Sequence, residues 1–191
     1  MPTTRVRTIL NRSTVVLLLC SVALNGLQAH RLRGFTDATV SGPQLGEMAP
    51  PLVAKTLDGH TTEIAFRGQP TILYYFSPTC AWCGRNWLNI KAIIAGTEGR
   101  YRFIGLSASA EVSAFLRAQR LTCEVYVEPS EASVRAYRFA GTPETVVVSA
   151  DGKIQYAWAG AFKATLQGQV ERALHVTLPG LQPGLPERVG P

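Results

Sequence analysis

Residues 76–86 of this 191-residue chain read Phe-Ser-Pro-Thr-Cys-Ala-Trp-Cys-Gly-Arg-Asn. The run that ends at Phe76, Thr-Ile-Leu-Tyr-Tyr-Phe, is rich in β-branched and aromatic residues and predicts a buried strand. Beyond Cys80, apolar residues recur at helical spacing and predict a helix over residues 81–94. Cys80 and Cys83 therefore stand where a central strand gives way to a helix.

Two cysteines with this spacing at the start of a helix indicate redox chemistry. The unpaired N–H groups and the positive end of the helix dipole favour a thiolate, so Cys80 is the predicted nucleophile. Cys83 follows about one turn later, shielded but close enough to close or resolve a disulfide. Zinc is the alternative for such a pair, but a structural zinc site needs four ligands and the three histidines are scattered along the chain. We predict no metal and no cofactor.

The charge of the chain does not point to a nucleic acid. Its formal net charge is +6, but five arginines up to Arg33 precede the first acid, Asp37, and the rest of the chain carries only +1. That remainder contains no Lys/Arg run and no interleaving of basic with aromatic residues. The length and the hydrophobic fraction of 46% suit one globular domain with short extensions.

The N-terminus has the layout of a secretory signal. Three arginines precede an uncharged apolar run at residues 15–24, and Ala29 follows at a position suited to cleavage. The uncharged stretch over residues 13–29 is also close to the shortest membrane helix, about 17 residues. Residues 1–29 are therefore predicted to be a signal peptide or an N-terminal membrane anchor. Both alternatives place the rest of the chain outside the cytoplasm.

The segments around the central strand predict an α/β fold in which helices flank a mixed β-sheet. A turn at Asp58-Gly59 between two alternating segments predicts an N-terminal β-hairpin. A strand and a helix then alternate through residue 120, which predicts parallel strands joined by a right-handed crossover. A second hairpin at Asp151-Gly152 and a helix over residues 162–178 complete the pattern.

Composition also divides the chain. Residues 30–44 are mixed in composition and aperiodic, which predicts a linker. The strand and helix patterns fill residues 45–178, which are predicted to form the domain. Residues 179–191 are rich in proline and glycine and are predicted to be a flexible tail.

Three short motifs occur in order along the predicted domain. Gly-Glu-Met-Ala-Pro-Pro-Leu stands at residues 46–52, Phe-Ser-Pro-Thr-Cys-Ala-Trp-Cys at residues 76–83, and Gly-Thr-Pro-Glu-Thr at residues 141–145. Together they resemble the thioredoxin superfamily, and within it the exported TlpA-like thiol-disulfide oxidoreductases that include the reductases of cytochrome c maturation. The resemblance implies a thioredoxin-like domain over residues 45–178 and a redox-active disulfide.

The resemblance also implies roles for individual residues. Cys80 would attack a substrate and Cys83 would resolve the mixed disulfide, so that Cys80 and Cys83 form the redox disulfide. Pro143 would be a cis proline that abuts this disulfide. The backbone of Thr142 would pair with an incoming substrate strand.

The chain departs from the family at two positions. Thioredoxin has a buried acid six residues before its first cysteine, where this chain has Tyr74. Cytochrome-maturation reductases often have a glutamate three residues after the second cysteine, where this chain has Asn86. Glu144, beside the proline motif, is therefore proposed as the proton acceptor for Cys83. The alternative for Glu144 is an ordinary solvated residue at the start of a strand.

Three further residues have competing interpretations. Trp82 is predicted to contact substrate, since aromatic residues are enriched at recognition surfaces, and the alternative is packing. Arg85 is predicted to lie on the solvated surface. Cys123 is predicted to pack as a small apolar residue, with a third redox thiol as the alternative.

The sequence thus predicts an exported thiol-disulfide oxidoreductase that acts on protein thiols and disulfides. The resemblance favours reduction, which would need an electron donor such as a membrane thiol carrier. A peroxiredoxin-like peroxidase is one alternative, but the usual Pro-x-x-x-Thr-x-x-Cys spacing is absent. A metal-delivery or assembly module on the same fold is the other, although such modules typically pair Cys-x-x-x-Cys with a distal histidine.

Overall fold

The structure is a computed structural model that describes residues 17–23, 25, 42–66, 68–121 and 123–183. The chain divides into two units, residues 1–40 and 41–191, and the described residues of the first unit are helical. No helix within the described ranges is long and apolar enough to cross a membrane. Most of the predicted signal peptide or anchor, residues 1–29, lies outside the described residues.

The described part of the second unit contains one sheet of seven strands. Along the chain these are β1 (Leu52–Lys55), β2 (Thr61–Ile64), β3 (Thr71–Phe76), β4 (Arg102–Ser107), β5 (Glu124–Val127), β6 (Glu144–Val148) and β7 (Ile154–Ala159). Their order across the sheet is β2-β1-β5-β4-β3-β6-β7. β4 runs parallel to both β3 and β5, whereas β6 runs antiparallel to β3 and β7. The predicted mixed sheet is confirmed, and the predicted strand before the cysteines is β3, a buried interior strand between β4 and β6.

The predicted N-terminal hairpin is present and extends the sheet at one edge. β1 and β2 pair antiparallel, and β1 then joins β5 at Lys55 and Val127. The turn between the strands places Gly59 at φ +90°, a conformation that glycine adopts without steric cost.

Five helices of the described residues connect and cover these strands. They are α1 (Ala81–Arg85), α2 (Trp87–Thr97), α3 (Ser113–Gln119), α4 (Glu131–Ala136) and α5 (Ala164–Leu174).

The prediction of a single helix over residues 81–94 is wrong. The helix is interrupted at Asn86, whose ψ of −2° is flattened from the helical value of about −42°. The Asn86 side chain accepts a hydrogen bond from the backbone N–H of Phe162, which ties the interruption to the segment before α5.

The last helix is shorter than the predicted 162–178. It ends at Leu174 because His175 adopts a left-handed conformation with φ 53°. Beyond it, the backbone N–H of Leu178 donates to the side chain of Glu171 rather than to a helical carbonyl.

Side chains of the sheet alternate between two hydrophobic clusters. Ile72, Tyr74 and Phe76 of β3 point into one, which we call the first side, and Leu73 and Tyr75 point into the other, the second side. Helices α1, α2 and α5 cover the first side with Cys83, Trp87, Ile90, Ile93, Val170 and Leu174. The second side is closed by the hairpin and by the residues after α4, through Leu52, Ala54, Ile64 and Tyr137. The alternation decides which residues of β3 and β6 can reach the cysteine pair.

Residues at both predicted domain boundaries contact the fold. In the predicted linker, the backbone N–H of Gly42 donates to the carbonyl of Arg138 at 3.3 Å. In the predicted tail, the N–H of Gly180 donates to the Asn89 side chain at 2.9 Å. Of these two segments the structure describes residues 42–44 and 179–183, so the boundaries 30–44, 45–178 and 179–191 stay predictions.

Candidate active site

Cys80 and Cys83 lie at the junction of β3 and α1. Cys80 is the N-cap residue of α1, and the backbone N–H of Cys83 donates a hydrogen bond to its Sγ at 3.1 Å. The two sulfur atoms are in contact, with the Cα atoms 5.2 Å apart. Cys80 is half-buried, whereas Cys83 is fully buried among the residues of the first side. The Cys80 sulfur can therefore be reached from solvent, whereas the Cys83 sulfur can be reached only through Cys80.

The loop before β6 lies against this pair. The Thr142–Pro143 peptide bond is cis, and Pro143 is buried. The carbonyl oxygen of Thr142 lies 3.3 Å from Cys80 Sγ. Pro143 is fixed from behind, because its carbonyl accepts a hydrogen bond from the N–H of Gly160 at 2.8 Å. The structure thus brings together the two motifs that are 62 positions apart in sequence.

Glu144 follows this loop but faces away from Cys83. It pairs with Tyr75 across the β3–β6 ladder, and paired residues share a face of a sheet, which is here the second side. Its carboxylate accepts hydrogen bonds from the backbone N–H groups of Ala140 at 2.7 Å and Gly141 at 3.0 Å. The prediction of a solvated residue is wrong, since Glu144 is only 4% exposed. The structure does not bring Glu144 and Cys83 together, and the carboxylate instead holds the loop of Thr142 and Pro143.

Four buried polar atoms beneath the cysteines have no hydrogen-bond partner among the described residues. They are Tyr74 Oη, Asn86 Nδ2, Trp87 Nε1 and Thr145 Oγ1. Tyr74 and Thr145 are directly paired across β3 and β6, while Asn86 and Trp87 come three and four positions after Cys83. Residues at that spacing share one face of a helix, so all four atoms lie on the first side.

Sequence reasoning identified Tyr74 and Asn86 only as departures from a family pattern. Burial raises the pKa of Tyr74 above its usual range, and the nearby Asn86 amide offsets part of that effect without completing a hydrogen bond. Tyr74 therefore stays protonated and is no substitute for a carboxylate base. Asn86 Oδ1 is fully used, because it accepts hydrogen bonds from Phe162 N–H and Asn89 Nδ2, each at 3.0 Å.

Trp82 projects from α1 between the two cysteines. Its side chain is 43% exposed, so the surface that the sequence predicted for substrate contact is accessible. Two cations lie over its ring: the Arg85 guanidinium carbon is 4.6 Å and Lys163 Nζ is 4.8 Å from the ring centroid. Arg85 is half-buried rather than a solvated surface residue, and its Nε also donates to the carbonyl of Gln182. Sequence reasoning missed Lys163, which is 80 residues away from Cys83.

Cys123 is separate from the cysteine pair. It is half-buried and packs against the hydrophobic cluster of the first side, as the sequence predicted. Burial raises the pKa of the Cys123 thiol to about 11, which disfavours the reactive thiolate. Within the described ranges, no group of three or more His, Cys, Asp or Glu side chains is placed to hold a metal ion.

A protein-family model described as AhpC/TSA matches residues 45–157, more than half of the sequence. The chain belongs to the AhpC/TSA family. A methylamine utilization protein, MauD of Methylobacillus flagellatus, is 33% identical to it over 118 residues, which cover 60% of this chain and 57% of that protein. The chain spans little more than half the length of the curated relatives that it matches.

Solved structures agree on the fold. The thioredoxin domain of a thiol-disulfide oxidoreductase from Bacteroides vulgatus superposes with a TM-score of 0.56 at 17% identity, covering 69% of this chain and 98% of that one. StoA from Bacillus subtilis gives a TM-score of 0.52 at 17% identity, covering 65% and 97%. The predicted thioredoxin fold and the predicted family resemblance are therefore confirmed. Family membership and the close cysteine pair also support the predicted enzyme class, a thiol-disulfide oxidoreductase.

Proposed function

We propose that this chain is an exported enzyme that reduces disulfides in protein substrates through Cys80 and Cys83. One observation carries the proposal. A half-buried Cys80 lies beside both a fully buried Cys83 and the Thr142–Pro143 loop. In this arrangement a substrate sulfur can reach Cys80 only. The Cys83 sulfur lies beside Cys80, where it can resolve the mixed disulfide.

The proposed reaction has two exchange steps. The Cys80 thiolate attacks one sulfur of the substrate disulfide, so a new S–S bond forms while the substrate bond breaks and its other sulfur leaves as a thiolate. Cys83 then loses its proton and attacks Cys80, which releases the second substrate sulfur. The enzyme ends as the Cys80–Cys83 disulfide. Two electrons and two protons have passed from its dithiol to the substrate.

The surroundings of Cys80 support its proposed role as nucleophile. The N–H of Cys83 points at its sulfur and stabilises negative charge there. Thr142 presents its backbone at the same edge, where an extended substrate segment could pair with it. Trp82 is proposed as a substrate contact because it is exposed beside the reacting sulfur.

Trapping the intermediate tests the reaction. We expect Cys83→Ala to accumulate mixed disulfides with substrate proteins through Cys80, because the resolving thiol is gone. Cys80→Ser should form none, and Cys123→Ala should behave as the unmodified chain. Non-reducing gels and mass spectrometry would detect the adducts. If Cys83→Ala forms no Cys80-linked adduct and the intact chain does not reduce insulin, the proposed function is wrong.

A redox titration of the cysteine pair tests the direction. A potential near that of thioredoxin, about −270 mV, is expected for a reductase. A value near that of the strong oxidant DsbA, about −120 mV, would reverse the proposed direction.

The proposed location and partners rest on the N-terminal sequence. A basic start, an apolar run and a small residue support export, followed either by cleavage or by retention as an anchor. Because an exported reductase must be re-reduced, we propose a membrane thiol carrier as its electron donor. Fractionation of cells that express the full chain would locate it, and an entirely cytoplasmic pool would contradict export.

The peroxidase and metal-delivery alternatives remain distinguishable by experiment. A peroxidase would consume hydrogen peroxide rapidly once reduced, and that activity would survive Cys83→Ala at the first turnover. A metal-delivery module would retain copper stoichiometrically after dialysis and lose it when the pair is replaced. Neither behaviour is expected of the proposed exchange enzyme.

A further inference from the structure

A pocket of about 330 Å³ opens beside Cys80. Its wall includes Trp82, Thr142, Pro143, Gly160, Lys163 and Leu166. Thr142 connects the pocket to the reaction, because its carbonyl oxygen lies 3.3 Å from Cys80 Sγ. A substrate held by a bond to Cys80 therefore has its neighbouring residues at the mouth of this pocket. The volume suits one or two side chains rather than a folded surface.

The charge around the pocket has one sign. Lys163 lies in its wall and Arg85 lies over the ring of Trp82, and none of the described residues that line the pocket is acidic. Within the described ranges neither Lys163 nor Arg85 forms an ion pair. Glu144, the acid that follows Pro143 in the chain, is buried and accepts two backbone hydrogen bonds. Both cations therefore lack an acidic partner within the described residues.

The remaining surface of the pocket is apolar. Pro143 is buried beneath it, Leu166 is half-buried at its side, and Trp82 offers an exposed ring. A glutamate side chain has two methylene groups below its carboxylate, which match an apolar wall that ends in a cation. A lysine side chain at the same place would bring its ammonium group towards Lys163.

We propose that this pocket selects protein substrates in which an acidic residue adjoins the cysteine of the reactive disulfide. The carboxylate contacts Lys163, and its stem lies against Trp82 and Leu166. This inference rests on the proposed exchange function and adds to it the chemical class of the substrate.

The test uses disulfide-linked dimers of one octapeptide with a single cysteine, flanked by Glu, Gln or Lys. The reduced enzyme converts each dimer to two peptide thiols, and its own dithiol becomes the Cys80–Cys83 disulfide. Dithiothreitol reduces the same dimers and gives their intrinsic reactivity. After that correction we expect the Glu dimer to react about fivefold faster than the Gln dimer, and the Lys dimer to react most slowly. One molar salt should reduce this preference, because it screens exposed charges.

Variants of Lys163 test whether this residue causes the preference for the Glu dimer. Lys163→Gln should bring the Glu-to-Gln ratio towards one, and Lys163→Glu should reverse the preference in favour of the Lys dimer. Lys91→Gln makes the same charge change on α2, outside this pocket, and should leave the ratio unchanged. If all three dimers react equally, or Lys163→Glu leaves their order intact, the inference is wrong while the exchange function stands. If no dimer reacts, the exchange function and the inference both fail.

Discussion

The four buried side-chain polar atoms that lack a hydrogen-bond partner among the described residues all lie on one side of the sheet. On the second side, the Tyr137 hydroxyl donates to the Pro50 carbonyl at 2.9 Å and the Glu144 carboxylate accepts two backbone hydrogen bonds. On the first side, four buried polar atoms near Cys83 have no partner among the described residues. Buried unpaired groups lower stability and are rare in proteins. These four atoms lie on the same side of the sheet as Cys83, whereas Glu144 on the second side holds the loop of Thr142 and Pro143.

The largest difference in the free energy of unfolding is expected between variants of Glu144 and Thr145, two neighbouring residues of β6 that face opposite sides of the sheet. Glu144→Ala leaves the N–H groups of Ala140 and Gly141 without their acceptor and should lower the free energy of unfolding by about 3 kcal/mol. Thr145→Val removes, at nearly constant volume, a hydroxyl that has no partner within the described part of the chain. It should change the free energy of unfolding by less than about 0.5 kcal/mol, or raise it. Urea unfolding measures both. Equal losses for the two variants would contradict the contrast between the sides.

Tyr137 and Tyr74 allow the same comparison of the two sides, because each Tyr→Phe variant removes only one hydroxyl group. Tyr137→Phe loses the hydrogen bond to Pro50 and should lower the free energy of unfolding by about 1 kcal/mol. Tyr74→Phe removes a hydroxyl that has no hydrogen-bond partner among the described residues and should leave the free energy of unfolding unchanged. The same urea experiment applies to both. A larger loss for Tyr74→Phe would show that its hydroxyl is bonded in solution.

High pH should lower the free energy of unfolding through Tyr74 on the first side and Tyr137 on the second side. Burial raises the pKa of Tyr74 and of Tyr137 above the ordinary value of 10.0. The unfolded chain therefore releases these protons first, and stability that is present below pH 10 is lost as the pH rises. At pH 10.5 each tyrosine should account for about 0.8 kcal/mol of that loss. Unfolding of Tyr74→Phe and Tyr137→Phe should each depend less steeply on pH than unfolding of the unmodified chain, and identical slopes would contradict this.

The smallest effect on exchange activity is expected at Cys123, which shares the first side with Cys83. Because burial raises the pKa of its thiol to about 11, only about 0.1% is thiolate at pH 8. Iodoacetamide should therefore modify it more slowly than a free cysteine, by a factor on the order of 100, as followed by mass spectrometry. Cys123→Ala should leave exchange activity unchanged. Rapid labelling would instead favour a third redox thiol.

The sequence predicted the cysteine pair, β3 and the hairpins because each depends on residues that are close in the chain. It predicted one helix over residues 81–94 because the apolar spacing continues through Asn86. At the break, the Asn86 side chain accepts a hydrogen bond from Phe162, a contact between distant segments that periodicity cannot show.

The position of Glu144 was missed for a related reason. The strand Glu-Thr-Val-Val-Val is buried on both faces, so no alternation of polar and apolar residues reveals which face each side chain takes. Only the pairing of Glu144 with Tyr75 in the sheet decides this. Lys163 reaches Trp82 through folding alone, and no local pattern connects the two residues.

The C-terminal segment is joined to the active-site helix by two hydrogen bonds. The N–H of Gln182 donates to the carbonyl of Arg85 at 2.8 Å, and Arg85 Nε donates back to the carbonyl of Gln182 at 3.1 Å. Trimming the chain before Gly180, as is often done before crystallisation, would release Arg85 from one partner and change the cation beside Trp82. Kinetics measured on such a shortened chain would therefore describe an altered surface beside Cys80.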